Sequence, residues 1–137
     1  MPNVTVTRRL AFNAAHRLHN PTLSEDENRS LYGKDNNARG HGHNYVLEVS
    51  VAGNVDERTG YVIDLGALRR LVQERVIDKL DHRHLNEDVD FLRGINPTSE
   101  NVVVACWRAL EPHVGPGRLT RLRLHETENN YVEYQGD

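Results

Sequence analysis

The sequence predicts an α+β domain: a four-stranded antiparallel sheet with two helices packed on one face, in the order β-β-α-α-β-β. Three observations predict it. Residues 4–16 and 43–53 alternate apolar and polar side chains, as half-buried strands do. Residues 65–80 and 98–111 carry apolar side chains at helical spacing. Alternation returns in residues 119–127 and 131–134, after a Gly115-Pro116-Gly117 turn. The 137 residues fit one domain, 1–137, large enough to bury a core.

The first strand places Val4, Val6, Leu10, Phe12, Ala14 and His16 on one face, with Arg8 as the exception. It delivers His16 at its end on the apolar side. That histidine either caps a core face or serves a site. The stretch from Asn20 to Arg39 is polar and loop-like, with a possible short helix from Ser24 to Leu31 carrying acids in its first turn. It ends by bringing Lys34 and Asp35 close to Gly40-His41-Gly42-His43-Asn44-Tyr45. Asp35 reads either as an Asx-turn residue before Asn36-Asn37 or as part of a site.

The second strand begins at this histidine pair. Residues i and i+2 of a strand share a face, so His41 and His43 can aim both imidazoles at one point. Neutral imidazole is a good zinc ligand, and zinc takes three or four ligands. His16 is the first candidate for a third; His19 competes but heads toward Pro21. After a turn at 54–60, Tyr61-Val62-Ile63 reads as a short strand or bridge, and Asp64 as a helix N-cap. Leu65, Leu68, Leu71, Val72, Val76 and Leu80 form the inner stripe of the first helix.

Asp81-His82 follows that helix. A carboxylate beside an imidazole can fix its tautomer and raise its basicity, a proton-relay arrangement, although the dipeptide is common. His84 reads as a surface residue. Thr98 or Ser99 caps the second helix, whose inner face holds Val102, Val103, Cys106, Ala109 and Leu110. Cys106 is thus expected as a packed core thiol. In the next strand Leu122, Leu124 and Glu126 share a face. A carboxylate continuing an apolar stripe either emerges into solvent or meets a ligand's donors. Asn129-Asn130 turns the chain into the last strand.

A net charge of −3 gives no reason to expect nucleic acid or an acidic membrane surface. No run reaches the length of a membrane span, and Met1-Pro2-Asn3-Val4 opens no signal-peptide core. One cysteine cannot form an intramolecular disulfide, and a cytoplasmic setting is expected.

Five pieces in order resemble the 6-pyruvoyltetrahydropterin synthase family: Phe12-Asn13-Ala14-Ala15-His16-Arg17-Leu18, the Gly40–Tyr45 stretch, Leu80-Asp81-His82, Pro97-Thr98-Ser99-Glu100-Asn101, and Glu126-Thr127-Glu128-Asn129-Asn130. The segment through Tyr32-Gly33-Lys34 looks more like the biopterin-pathway branch than the 6-carboxytetrahydropterin synthases. The resemblance implies a tunnelling fold and a homohexamer built as a dimer of trimers, with sites between subunits. It implies zinc on His16, His41 and His43, and a pterin ring held by Glu126 with Thr98 and Ser99 nearby. The implied substrate is 7,8-dihydroneopterin triphosphate, which loses triphosphate as hydrogens move within its side chain. A base removes the proton next to the polarised side-chain oxygen, and His82, oriented by Asp81, returns it. Lys34, Arg17 and Arg39 are candidates to hold the triphosphate.

One position departs from the family's pattern. The family's usual base is a cysteine six residues before the first histidine of the pair, and here Asp35 stands there. A variant branch uses a glutamate three residues before the pair, where this chain has Ala38. Asp35 is expected to be the base, to be a fourth metal ligand that closes the site, or to be an altered position in an otherwise ordinary synthase. The expected activity is accordingly the synthase lyase reaction. The alternatives are side-chain cleavage, 6-carboxytetrahydropterin formation, or pterin binding without turnover.

Overall fold

The computed structural model describes residues 2–137. Two long strands, β1 (Asn3–His16) and β2 (His41–Asn54), pair antiparallel from Asn3 opposite Asn54 to His16 opposite His41. The intervening chain forms α1 (Glu25–Tyr32) and a 3-10 turn, Gly33–Asn36. α1 has a complete capping box. The Ser24 hydroxyl accepts from Glu27 N, and the Glu27 carboxylate accepts from Ser24 N. The sequence-based order β-β-α-α-β-β has no place for α1 as a third main helix.

Asp64 caps α2 (Leu65–Val72), its side chain accepting from Gly66 N at 2.9 Å. The helix runs on through a π turn, Gln73–Ile77, into α3 (Asp78–Leu80). Tyr61-Val62-Ile63, expected as a strand or bridge, is instead a bend that leads into this cap. α4 (Ser99–Leu110) starts at Thr98, whose side chain accepts from Asn101 N. β4 (Arg118–Thr127) and β5 (Asn130–Tyr134) close the chain.

The sheet has five strands in the order β3-β1-β2-β4-β5 and is mixed, where four antiparallel strands were expected. The added strand is β3 (Arg83–His84), parallel to β1 at Ala14 and Ala15. Two residues are too few for alternation to show in a sequence. His82, with a left-handed φ of 61°, turns the chain after α3 alongside β1. His82 N then donates to Asn13 O, and Leu85 N to Ala15 O.

The two sheet faces differ sharply. Leu10, Phe12, Tyr45, Leu47, Leu122 and Leu124 are buried against Leu68, Val72, Val102 and Cys106 of the helices. This is the expected helix-covered core. On the other face Arg9 opposes Glu48, Glu48 opposes Arg123, and Arg123 opposes Glu133, so charge signs alternate across four strands. Among the described residues no helix is long and apolar enough to cross a membrane.

Candidate metal centre

The end of the β1–β2 pair carries the site on its covered face. His16 lies opposite His41, and Ala14 lies opposite His43. One ligand nitrogen from each of His16, His41 and His43 lies within 4.8 Å of the others. The rings meet edge to face, with centroids 4.6 to 5.0 Å apart. Gly40 permits this approach. Its φ is 81°, and a Cβ there would stand 2.9 Å from His84 Nε2 and 3.0 Å from His16 O. His84 is therefore half-buried against the turn, not the free surface residue its sequence position suggests.

The hydrogen bonding around the cluster suits a cation. His16 is 1% exposed, and its Nδ1 donates to Pro97 O at 2.8 Å. That bond leaves Nε2 as a bare lone pair, 3.0 Å from His41 Nε2. His41 Nδ1 and His43 Nε2 are buried and have no partner among the described residues. Buried orphan nitrogens are costly unless something else satisfies them. Burial holds the His16 and His43 imidazoles below their usual pKa, so both favour the neutral, ligating form. The three residues fit a divalent metal with nitrogen preference.

His19, the competing ligand, is used elsewhere. Its Nδ1 accepts from Asn36 Nδ2 at 3.0 Å, and Asn36 also donates to Leu18 O. These bonds tie the Gly33–Asn36 turn to the end of β1. Leu18 N donates to Asp35 O, and Arg17 Nε to Asn36 O. The turn holds the half-exposed Asp35 carboxylate 3.5 Å from His41 Nε2. A cavity of about 800 Å³ opens beside it, bordered by Arg17, Arg29, Lys34, Asp35 and His41. Arg39 does not border this cavity.

Glu126 continues the Leu122–Leu124 face and is half-buried. One carboxylate oxygen accepts from the Ser99 hydroxyl at 2.7 Å, and the other lies 3.8 Å from His43 Nε2. Ser99 is buried, whereas the Thr98 hydroxyl is engaged in capping α4.

Asp81 and His82 lie apart from the cluster in their bonding. Asp81 Oδ1 accepts from Asn13 N at 2.9 Å and lies 3.0 Å from His82 Nδ1. The Asn13 N–H, with the bond to His82, holds the Asp81 carboxyl below the usual range. His82 is 78% exposed at its side chain and borders a cavity of about 520 Å³ with Asn13, Asn44, His43 and His84. Asn13 and Asn44 oppose each other in the β1–β2 register and alternate with Ala14 and His43, so they face away from the three histidines. Cys106 is fully buried, and burial pushes its thiol up to about 12, as suits a packing residue.

Sequence reasoning missed Pro97, whose carbonyl anchors His16, and Tyr45, whose hydroxyl lies 3.3 Å from the same nitrogen. No sequence signal marks a backbone carbonyl. Tyr45 was findable, because 41, 43 and 45 share a strand face.

A family model described as 6-pyruvoyl tetrahydropterin synthase matches residues 5–137. The 6-pyruvoyl tetrahydrobiopterin synthase of Homo sapiens is 42% identical over 132 residues, spanning 96% of this chain and 91% of that protein. The enzyme of the same name from Dictyostelium discoideum is 44% identical over 134 residues, spanning 98% and 97%. The structure of Caenorhabditis elegans 6-pyruvoyl tetrahydropterin synthase superposes with a TM-score of 0.94 at 41% identity, covering 100% of this chain and 98% of that one. The histidine cluster, the Ser99–Glu126 pair and the fold around them thus occur in a chain that belongs to the 6-pyruvoyl tetrahydropterin synthase family.

Proposed function

We propose that the chain is a zinc-dependent lyase that converts 7,8-dihydroneopterin triphosphate to 6-pyruvoyltetrahydropterin with loss of triphosphate. The observation that carries this reading is the convergence of three imidazoles with two carboxylates of different setting. Asp35 lies 3.5 Å from His41, and Glu126 lies 3.8 Å from His43. His16, His41 and His43 would hold the zinc. A zinc held there would supply a Lewis acid that polarises a side-chain oxygen and acidifies the neighbouring C–H. Glu126 accepts hydrogen bonds from the amino and ring NH groups of the pterin, and Ser99 fixes its free rotation. Thr98, next to Ser99, would meet the ring at the same end of the site. Asp35 takes a side-chain proton. Arg17 and Lys34 border the adjoining cavity and are placed to meet a triphosphate.

The Asp81–His82 pair returns the proton, and it does so to the site of another subunit. This fits the exposure of His82 and the cavity it borders with Asn13 and Asn44. The assembly would be a cytoplasmic homohexamer, a dimer of trimers. A mixing experiment checks the shared site. Glu126→Ala and His82→Ala should each be inactive alone. Refolded together in equal amounts, they should recover roughly a quarter of parental turnover, the fraction of interfaces with both wild-type halves. No recovery in verified mixed oligomers counts against a shared site.

One observation favours a second reading. The Asp35 carboxylate lies 3.5 Å from His41 Nε2, where it could also serve as a fourth metal ligand. The chain would then bind pterins without turnover. Mass spectrometry of products from 7,8-dihydroneopterin triphosphate decides. The pyruvoyl product is expected, whereas a cleaved hydroxymethyl product or no turnover overturns the lyase assignment.

A further inference from the structure

Two groups, not one, address the back of His16. Tyr45 is fully buried, its ring stacked on Phe12 with centroids 4.9 Å apart and planes 9° from parallel. Its hydroxyl lies 3.3 Å from His16 Nδ1, the nitrogen that Pro97 O already faces at 2.8 Å. Among the described residues this is the only hydrogen bond of the Tyr45 hydroxyl. A carbonyl can only accept, so Nδ1 carries the proton. The Tyr45 oxygen, meeting the same N–H, therefore accepts as the longer limb of a forked bond. A phenylalanine would fill the same stack without burying a hydroxyl, which costs free energy when it is poorly paired.

We propose that Tyr45 is a positioning residue for the metal centre. Its hydroxyl and the Pro97 carbonyl together hold His16 in the Nδ1–H tautomer and in the rotation that turns Nε2 toward His41. This rests on the zinc reading above. The placement is economical. One face of β2 supplies two ligands, His41 and His43, and at the next inward position it supplies the group that orients the third. A single acceptor favours one tautomer but leaves the ring free to pivot away from it, so the other tautomer regains population. Two acceptors on different segments, β2 and the residue before the α4 cap, remove that freedom. Groups that orient a ligating imidazole typically change metal affinity by about 10–100-fold when removed.

Tyr45→Phe keeps the ring stack and deletes only the hydroxyl. Two readouts test the proposal, and neither depends on turnover. Two-bond proton–nitrogen correlation spectra of the metal-free protein should show His16 as one Nδ1–H tautomer in the parent and as a mixture in Tyr45→Phe. Zinc competition against a chelator should show affinity lower by about 10-fold in the variant. The visible bands of the cobalt-loaded protein should shift with it. A purely packing role would change the melting temperature of the metal-free protein but neither the tautomer nor the cobalt spectrum. Unchanged tautomer and zinc affinity in Tyr45→Phe, with tight zinc binding by the parent, overturn the role of Tyr45 alone. A parent that binds no zinc overturns the zinc reading and this proposal together.

Discussion

His43→Ala is expected to lose nearly all bound zinc, where the parent should retain about one ion per chain after dialysis. If three imidazoles share the binding free energy of a zinc site, removing one costs on the order of 3–5 kcal/mol, about a thousandfold in affinity. His43 is the cleaner position to test. Its Nε2 has no hydrogen-bond partner among the described residues, so alanine strips a ligand without breaking a hydrogen bond at that nitrogen. His16→Ala should lose zinc equally but also lose stability, because the buried Pro97 carbonyl is then left unpaired. His19→Ala is the internal control. Its imidazole serves Asn36, so zinc content should hold even if the Gly33–Asn36 turn loosens. Elemental analysis with circular dichroism separates ligand loss from unfolding. Full zinc occupancy in both His16→Ala and His43→Ala would sink the metal assignment.

The covered face of the sheet was legible because period-two alternation is a physical signature of half-burial. Leu10, Phe12, Ala14 and His16 read as one face and are buried as one face. Glu126 was legible for the same reason, as a carboxylate where the stripe of Leu122 and Leu124 predicts an apolar side chain. What stayed hidden were features without periodicity. β3 has two residues, and its pairing depends on a left-handed His82 that no propensity scale marks. His84 looked like surface because its neighbours are polar, yet Gly40 packs against its ring. The carbonyl of Pro97 carries no side-chain label at all. Asp81–His82 was legible as a pair, but a sequence does not say what lies beside it, and the fold sets Asp81 on Asn13 N and His82 on a cavity with Asn13 and Asn44.

Asp35 carries the other large effect. Asp35→Ala should lower turnover of 7,8-dihydroneopterin triphosphate by about 10²–10⁴-fold, the usual contribution of a general base. Asp35→Cys should exceed the parent. A free carboxylate titrates near pH ~4 and a free thiol near ~8.5, so a thiolate is the stronger proton acceptor for a carbon acid. The turn that holds Asp35 is fixed by Leu18 N on its carbonyl and by Asn36 on both sides, so either substitution leaves the backbone in place. The closed-site reading predicts the reverse order. There Asp35→Ala opens a coordination position, turnover rises above the parent, and zinc binds more weakly for want of a ligand. Measuring turnover and zinc affinity on the same three proteins therefore separates the two roles. Falling activity at constant zinc marks a base, and rising activity with weakened zinc marks a ligand. Equal turnover in parent, alanine and cysteine forms would remove position 35 from the chemistry altogether. A half-exposed carboxylate 3.5 Å from His41 needs no hydrophobic packing to stay there, so stability should barely move in any of them. That insensitivity makes the rate comparison a direct reading of what the carboxylate does.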